Sequence, residues 1–272
     1  MAAALLAGCG MGAPKATDPA KHAVSSPAVA PAPTGSSAGA RTAVQAAGPI
    51  VLFHGSRVHR EIALTFDSNL TPYMINELDT HRVASFDDVK AITELTTLHV
   101  PATFFLSGLW MLRYPQQTRA LAAVPFFELG SHSYSHRAFA PHCYRLGTLG
   151  RSEMAPDINK SERTLERFTR HLSRLFRFPG GCYDADGLRA AKAARVQVVQ
   201  YDVASGDAFG TSVSRIVDHT LQSTRNGSIV VMHITGGNTA PLTALALPQI
   251  VTGLHQRGFT LVTVSRLLAD MG

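Results

Sequence analysis

No stretch of this sequence approaches the ~18 consecutive apolar residues of a membrane-spanning helix, so it offers no candidate span. Charge is sparse, at 16% of residues. The Lys and Arg behind the net charge of +6 are scattered rather than gathered into a stripe, which argues against a nucleic-acid partner. No G-x-S-x-G turn is present, and with it goes the serine elbow of an α/β-hydrolase. Internal repeats are absent as well. Cysteine is scarce, with only Cys9, Cys143 and Cys182 among 272 residues.

What is abundant is apolar side chain, at 45%, enough for most of the chain to bury a core. The exception is residues 10–48, a run of Ala, Pro, Ser, Gly and Thr with no aromatic residue. Such a segment cannot offset its ordering entropy by burial and reads as a disordered tether. Just before it, Leu6-Ala7-Gly8-Cys9 resembles the lipobox of bacterial lipoproteins. The stretch ahead of Cys9 lacks a basic n-region and its apolar part is short. Either the start lies upstream of Met1 or Cys9 is a chance residue in an Ala-rich terminus. A tether after a lipidated cysteine is coherent, so the expectation is a signal remnant over 1–9, a tether over 10–48 and a folded domain over 49–272. Such a chain is exported to a bacterial cell envelope or periplasm and meets the membrane only through a lipid on Cys9. The two remaining cysteines suit one disulfide in that compartment, or two buried thiols.

From residue 49, short β-branched or aromatic runs alternate with longer helical patterns. The runs are IALTF (62–66), ATFFL (102–106), FFELG (126–130), LFRF (175–178), VQVVQYDV (196–203), SIVVMH (228–233) and TLVTV (260–264). Between them lie helical stretches such as the one beginning at Pro156 in PDINKSERTLERFTRHL. Strand–helix alternation of this length implies parallel strands with helices outside. Polar residues collect just past the strand ends: Asp67, Ser107, His132, the Pro179-Gly180-Gly181 turn, Asp207 and His233. Contributions from five or more strands favour an α/β fold closed as a barrel, whose active face is that end. An open sheet would gather them at one switch point.

Each motif is modest by itself. In SHSYSH, His132 and His136 are four residues apart, which suits a metal-binding helix face or a plain polar turn. Asp67 after an apolar strand is a desolvated carboxylate or an ordinary helix cap. Asp202 and Asp207 bracket a short loop, and a lone strand-end histidine such as His233 is more often structural. Cys182 beside the glycine turn could act as a thiol nucleophile, an idea that a disulfide to Cys143 would end. The other nine histidines (His22, His54, His59, His81, His99, His142, His171, His219 and His255) have no partner motif.

In order along the chain, the motifs are specific. Thr65-Phe66-Asp67, His132-Ser133-Tyr134-Ser135-His136, Arg177-Phe178-Pro179, Ser205-Gly206-Asp207 and Val230-Val231-Met232-His233 resemble the five motifs of the polysaccharide deacetylase family. This family is also called the NodB homology domain or carbohydrate esterase family four. The resemblance covers about residues 60–266 and implies an α/β fold, a distorted seven-stranded (β/α) barrel. It implies a metal-dependent hydrolase that removes N- or O-acetyl groups from a cell-envelope or extracellular polysaccharide. His132 and His136 would hold Zn²⁺ or a similar ion such as Co²⁺. Asp67 would be the general base, Arg177 its pairing partner, His233 the acid for the leaving group and Asp207 the residue orienting His233. Backbone N–H groups at Gly181, Cys182 and Tyr183 would help to bind the oxyanion.

Two positions depart from the family pattern. The second aspartate, a metal ligand, is replaced by Ser68 and then Asn69. Serine is a poor neutral ligand and Asn69 offers only a carbonyl oxygen, which leaves three readings: the two histidines hold the ion with waters and Asn69, Asp67 ligates it directly while another group acts as base, or the chain is a weak or inactive glycan-binding protein on the same fold. Ala208 stands where an aromatic residue is common, with Phe209 next to it as a replacement wall for a sugar ring.

Overall fold

The computed structural model describes residues 51–269 and Met271. Cys9, the tether and His22 lie outside the described residues.

Among the described residues, nine strands join in one all-parallel sheet. They are β1 (Val51–Leu52), β2 (Glu61–Ser68), β3 (Ala102–Leu106), β4 (Phe127–Ser131) and β5 (Leu175–Phe176). They continue as β6 (Gln197–Val199), β7 (Val203–Ala204), β8 (Ile229–His233) and β9 (Thr260–Leu261). The order is β1-β6-β5-β4-β3-β2-β8-β7, with β9 beside the start of β2. The crossovers hold α1 (Pro72–Asp79), α2 (Val89–Thr97), α3 (Gly108–Arg113), α4 (Pro115–Ala123) and α5 (Arg151–Leu165). After these come α6 (Ala185–Ala194), α7 (Val213–Ser223), α8 (Thr243–Gln256) and α9 (Val264–Ala269). No described helix is long and apolar enough to cross a membrane.

Strand periodicity explains where the chemistry falls. Successive side chains point to opposite faces. In β2, Ile62, Leu64 and Phe66 pack outward into the core shared with the helices. Ala63 belongs to the inner cluster with Phe105, Leu175, Val199 and Ile229. Asp67 is in phase with Ala63 and therefore ends the inner face. By the same count Arg177 follows Leu175 inward, and His233 follows Ile229.

The sheet curls into a distorted barrel, as expected, but one edge is joined by chain rather than by a ladder. The run 196–203 is not one strand. It breaks into β6 and β7, which sit toward opposite ends of the strand order. Only residues 200–202 connect them, a span of at most about 14 Å, so the two edges must curl close together. Gln200 N–H donates to Leu52 on one edge and Asp202 N–H to Ile229 on the other. Asp202 is thus structural rather than a site residue, and its carboxylate pairs with Arg57 at 2.7 Å.

Two further expectations change. The run 260–264 gives only β9 before α9 begins at Val264. Helix α5 starts five residues before Pro156, where Glu153 accepts from the N–H of Gly150.

Candidate active site

The C-terminal ends of β2, β4, β5, β7 and β8 surround one cavity of about 340 Å³. Asp67, His132, His136, Gly180, Gly181, Asp207 and His233 all line it.

Asp67 ends the inner face of β2 and is buried. Its Oδ1 accepts from Arg177 Nη1 at 2.8 Å. The arginine, fully buried, is clamped on every side. Nη1 also donates to Thr65 Oγ1, Nε to the Val199 carbonyl and Nη2 to the Gln200 carbonyl. Its guanidinium lies 4.1 Å from the centre of the Phe105 ring. Oδ2 of Asp67 is left facing the cavity side.

The histidine pair is a strand end and a turn, not a helix face. His132 follows β4 directly, and the chain then turns with Ser133 and His136 both at positive φ. Asp157 of α5 holds this turn, accepting from the N–H groups of Tyr134 and Ser135 and from Ser135 Oγ. The imidazole rings come within 4.9 Å, centre to centre. His132 Nδ1 donates to the Arg177 carbonyl at 2.9 Å, which puts the lone pair on Nε2. That nitrogen sits 3.5 Å from Asp67 Oδ2. Two such acceptors this close repel, which a positive charge near them relieves.

Burial lowers the pKa of His132, with the Asp67 charge opposing in part. Burial, then the neighbouring His132, lowers that of His136 well below the usual histidine range. Both rings are therefore neutral and able to ligate. Both ring nitrogens of His136 are buried without a hydrogen-bond partner. Among the described residues no three His, Cys, Asp or Glu side chains form a metal-holding group.

Across the cavity, His233 Nδ1 donates to Asp207 Oδ1 at 2.9 Å. Asp207 is itself buried and accepts from the His233 N–H, Thr243 Oγ1 and Ser205 Oγ. Burial alone would lower the His233 pKa, but the charge and hydrogen bond of Asp207 outweigh it and raise the value. Burial alone would raise the Asp207 carboxyl, but the His233 charge and these hydrogen bonds hold it low. Nε2 of His233 is left as the proton-bearing atom free of Asp207.

Two of the three expected oxyanion donors, Gly181 and Cys182, are a correction. The Pro179–Gly181 turn directs the Gly181 N–H to the Phe178 carbonyl and the Cys182 N–H to the Pro179 carbonyl, so both are already committed. Cys182 and Tyr183 do not line the cavity. Cys182 is disulfide-bonded to Cys143, which removes the thiol nucleophile. Phe209 is at the rim and exposed, stacked on Tyr144 at 6.0 Å. Tyr144 went unseen in the sequence; its signal is the adjacent Cys143, which pins its loop beside the glycine turn.

The family model for polysaccharide deacetylase matches residues 54–199. A peptidoglycan-N-acetylglucosamine deacetylase of Bacillus cereus is 30% identical over 210 residues, covering 76% of this chain and 87% of its own. Among solved structures, a peptidoglycan N-acetylglucosamine deacetylase in complex with 4-naphthalen-1-yl-N-oxidanyl-benzamide superposes with a TM-score of 0.68. It is 26% identical and covers 81% of this chain and 94% of its own. A family-four pseudoenzyme from Bacillus anthracis shares the fold, with a TM-score of 0.65 at 21% identity over 81% of this chain and 69% of its own.

Proposed function

The chain belongs to the polysaccharide deacetylase family, and from that premise we propose that it hydrolyses N-acetyl groups on an aminosugar polymer with the help of a divalent cation. The observation that carries this is the convergence of the Asp67–Arg177 pair, two neutral imidazoles and the His233–Asp207 dyad on one cavity. The related Bacillus cereus enzyme, named for peptidoglycan N-acetylglucosamine, supports an N-acetylated aminosugar as the substrate class.

His132 and His136 fit a cation such as Zn²⁺, because they offer unprotonated nitrogens that nothing else satisfies. When bound, the ion supplies Lewis-acid polarisation of the acetyl carbonyl and acidifies water. The remaining work falls to the chain. Asp67 Oδ2 takes the proton of the attacking water, while Arg177 fixes the other carboxylate oxygen and sets its aim. As the carbon–nitrogen bond breaks, His233 Nε2 gives its proton to the departing amine. Asp207 holds His233 in orientation and keeps it protonated for that step. The products are acetate and a free amine. The exposed Tyr144–Phe209 pair offers an apolar wall for a sugar ring.

The test is acetate release from N-acetylated glycan oligomers. Release should stop on chelation and return with added Zn²⁺ or Co²⁺. Turnover that survives complete metal removal would refute the cation's role. A second reading, glycan binding without turnover, is favoured by Ser68 in place of an aspartate. Tight glycan binding with no acetate under any metal would establish it. Export and lipid attachment at Cys9 complete the proposal, and palmitate labelling that persists in Cys9→Ser would overturn the anchor.

A further inference from the structure

We infer that Asn69, and not Ser68, supplies the third protein donor to the cation held by His132 and His136; the inference rests on the cation-dependent reading above. Ser68 is the last residue of β2 and wholly buried. Its Oγ accepts from the Ser107 N–H at 3.2 Å, filling the step between β2 and the start of α3. It does not line the cavity, and its oxygen is already in use. The serine therefore fills the space of a side chain without offering a donor to the site.

Asn69 does line the cavity that both histidines line. Its backbone is tied down, with its N–H donating to Thr235 Oγ1 at 3.1 Å in the loop after β8. Its side-chain Oδ1 is buried and has no hydrogen-bond partner, like the ring nitrogens of His136. A buried amide oxygen left unpaired is costly. Unpaired acceptors from two chain segments that line one cavity are jointly satisfied by a cation. An amide carbonyl oxygen is an accepted ligand for divalent ions, though a weaker one than a carboxylate.

The donor set of two imidazole nitrogens and one amide oxygen is neutral. It leaves Asp67 as the carboxylate nearest the His132 nitrogen, undiluted by a second acid at position 68. It also leaves more of the ion's positive charge uncompensated, which favours polarisation of the acetyl carbonyl at the cost of affinity.

The test uses the full chain stripped of metal by dialysis. Zn²⁺ affinity is measured by competition with a chromophoric chelator, and unfolding midpoints of the apo proteins by circular dichroism. The wild type should bind Zn²⁺, and His136→Ala should weaken binding by roughly a hundredfold. Asn69→Ala should weaken it by about tenfold or more, since even groups behind the ligands are worth about 10–100-fold. Ser68→Ala should stay within about threefold of wild type, and Asn69→Asp should bind at least as tightly. Because Oδ1 is buried without a partner, Asn69→Ala should not lower the apo midpoint, which separates loss of a donor from misfolding. The inference is overturned if Asn69→Ala binds Zn²⁺ like the wild type, if Ser68→Ala is weakened as much, or if Asn69→Ala lowers the apo midpoint. Those results leave the cation reading standing. Absence of Zn²⁺ binding by the wild type, or binding indifferent to His136→Ala, would overturn that reading itself.

Discussion

At the scale of single residues, the pH dependence turns on His233. Its pKa is raised because Asp207 outweighs burial. As the acid of the proposed reaction it must carry a proton, so activity should fall as pH rises through its pKa. In Asp207→Asn the main opposition to burial is lost, leaving only the smaller effect of the Asp67 charge, and the alkaline limb of kcat/KM should move to lower pH. An alkaline limb that stays in place would show that another group sets it. The main site residues were legible because Asp67 and His233 end apolar runs whose alternation fixes their face, and His132 follows another run directly. Asp157 and Thr243 were not legible. Each acts through contacts between distant segments, Asp157 on the histidine turn and Thr243 on Asp207, and spacing along one segment carries no sign of them. The Gly181 and Cys182 part of the oxyanion expectation failed for a local reason: a turn tight enough to present N–H groups also closes hydrogen bonds of its own.

At the scale of elements, α5 carries a buried acid that the site does not use. Burial pushes the Glu162 carboxyl up from 4.5 to about 7, with Arg174 opposing in part. An acid with a raised folded pKa binds more protons folded than unfolded. Its contribution is therefore full at pH 4 and is lost as pH rises from 4.5 through about 7. The loss is on the order of 3 kcal/mol. Glu162→Gln should accordingly gain in unfolding midpoint over the wild type at pH 8 relative to pH 4. Equal gains at both pH values would place the effect in packing instead. The disulfide makes a separate prediction. Cys143–Cys182 closes a separation of 39 residues, and its removal should cost about 2–4 kcal/mol. Because Cys143 precedes Tyr144, the Cys143→Ser/Cys182→Ser variant should raise KM for a glycan more than it lowers kcat. Unchanged KM would free the Tyr144 loop from any part in substrate binding.

At the scale of the whole molecule, the barrel works by placing six groups from five strands around one mouth. Parallel topology was readable from strand–helix alternation, and the active face from the polar residues at the strand ends. The break at 200–202 was not, because VQVVQYDV is continuous in β propensity. Leaving one sheet edge for the other is a demand of the closed sheet, which no local pattern records. Nor could the pattern show α5 running through Pro156, since its helix start rests on the Gly150–Glu153 contact rather than on the proline. The account's central claim is that this convergence makes Asp67 the base that activates water for acetyl hydrolysis. Acetate release from N-acetylated glycan oligomers by the wild type and by Asp67→Asn tests it most directly. The account predicts turnover by the wild type and a drop of about 10²–10⁴-fold in the variant, with Zn²⁺ still bound. Equal turnover by the two proteins would contradict it.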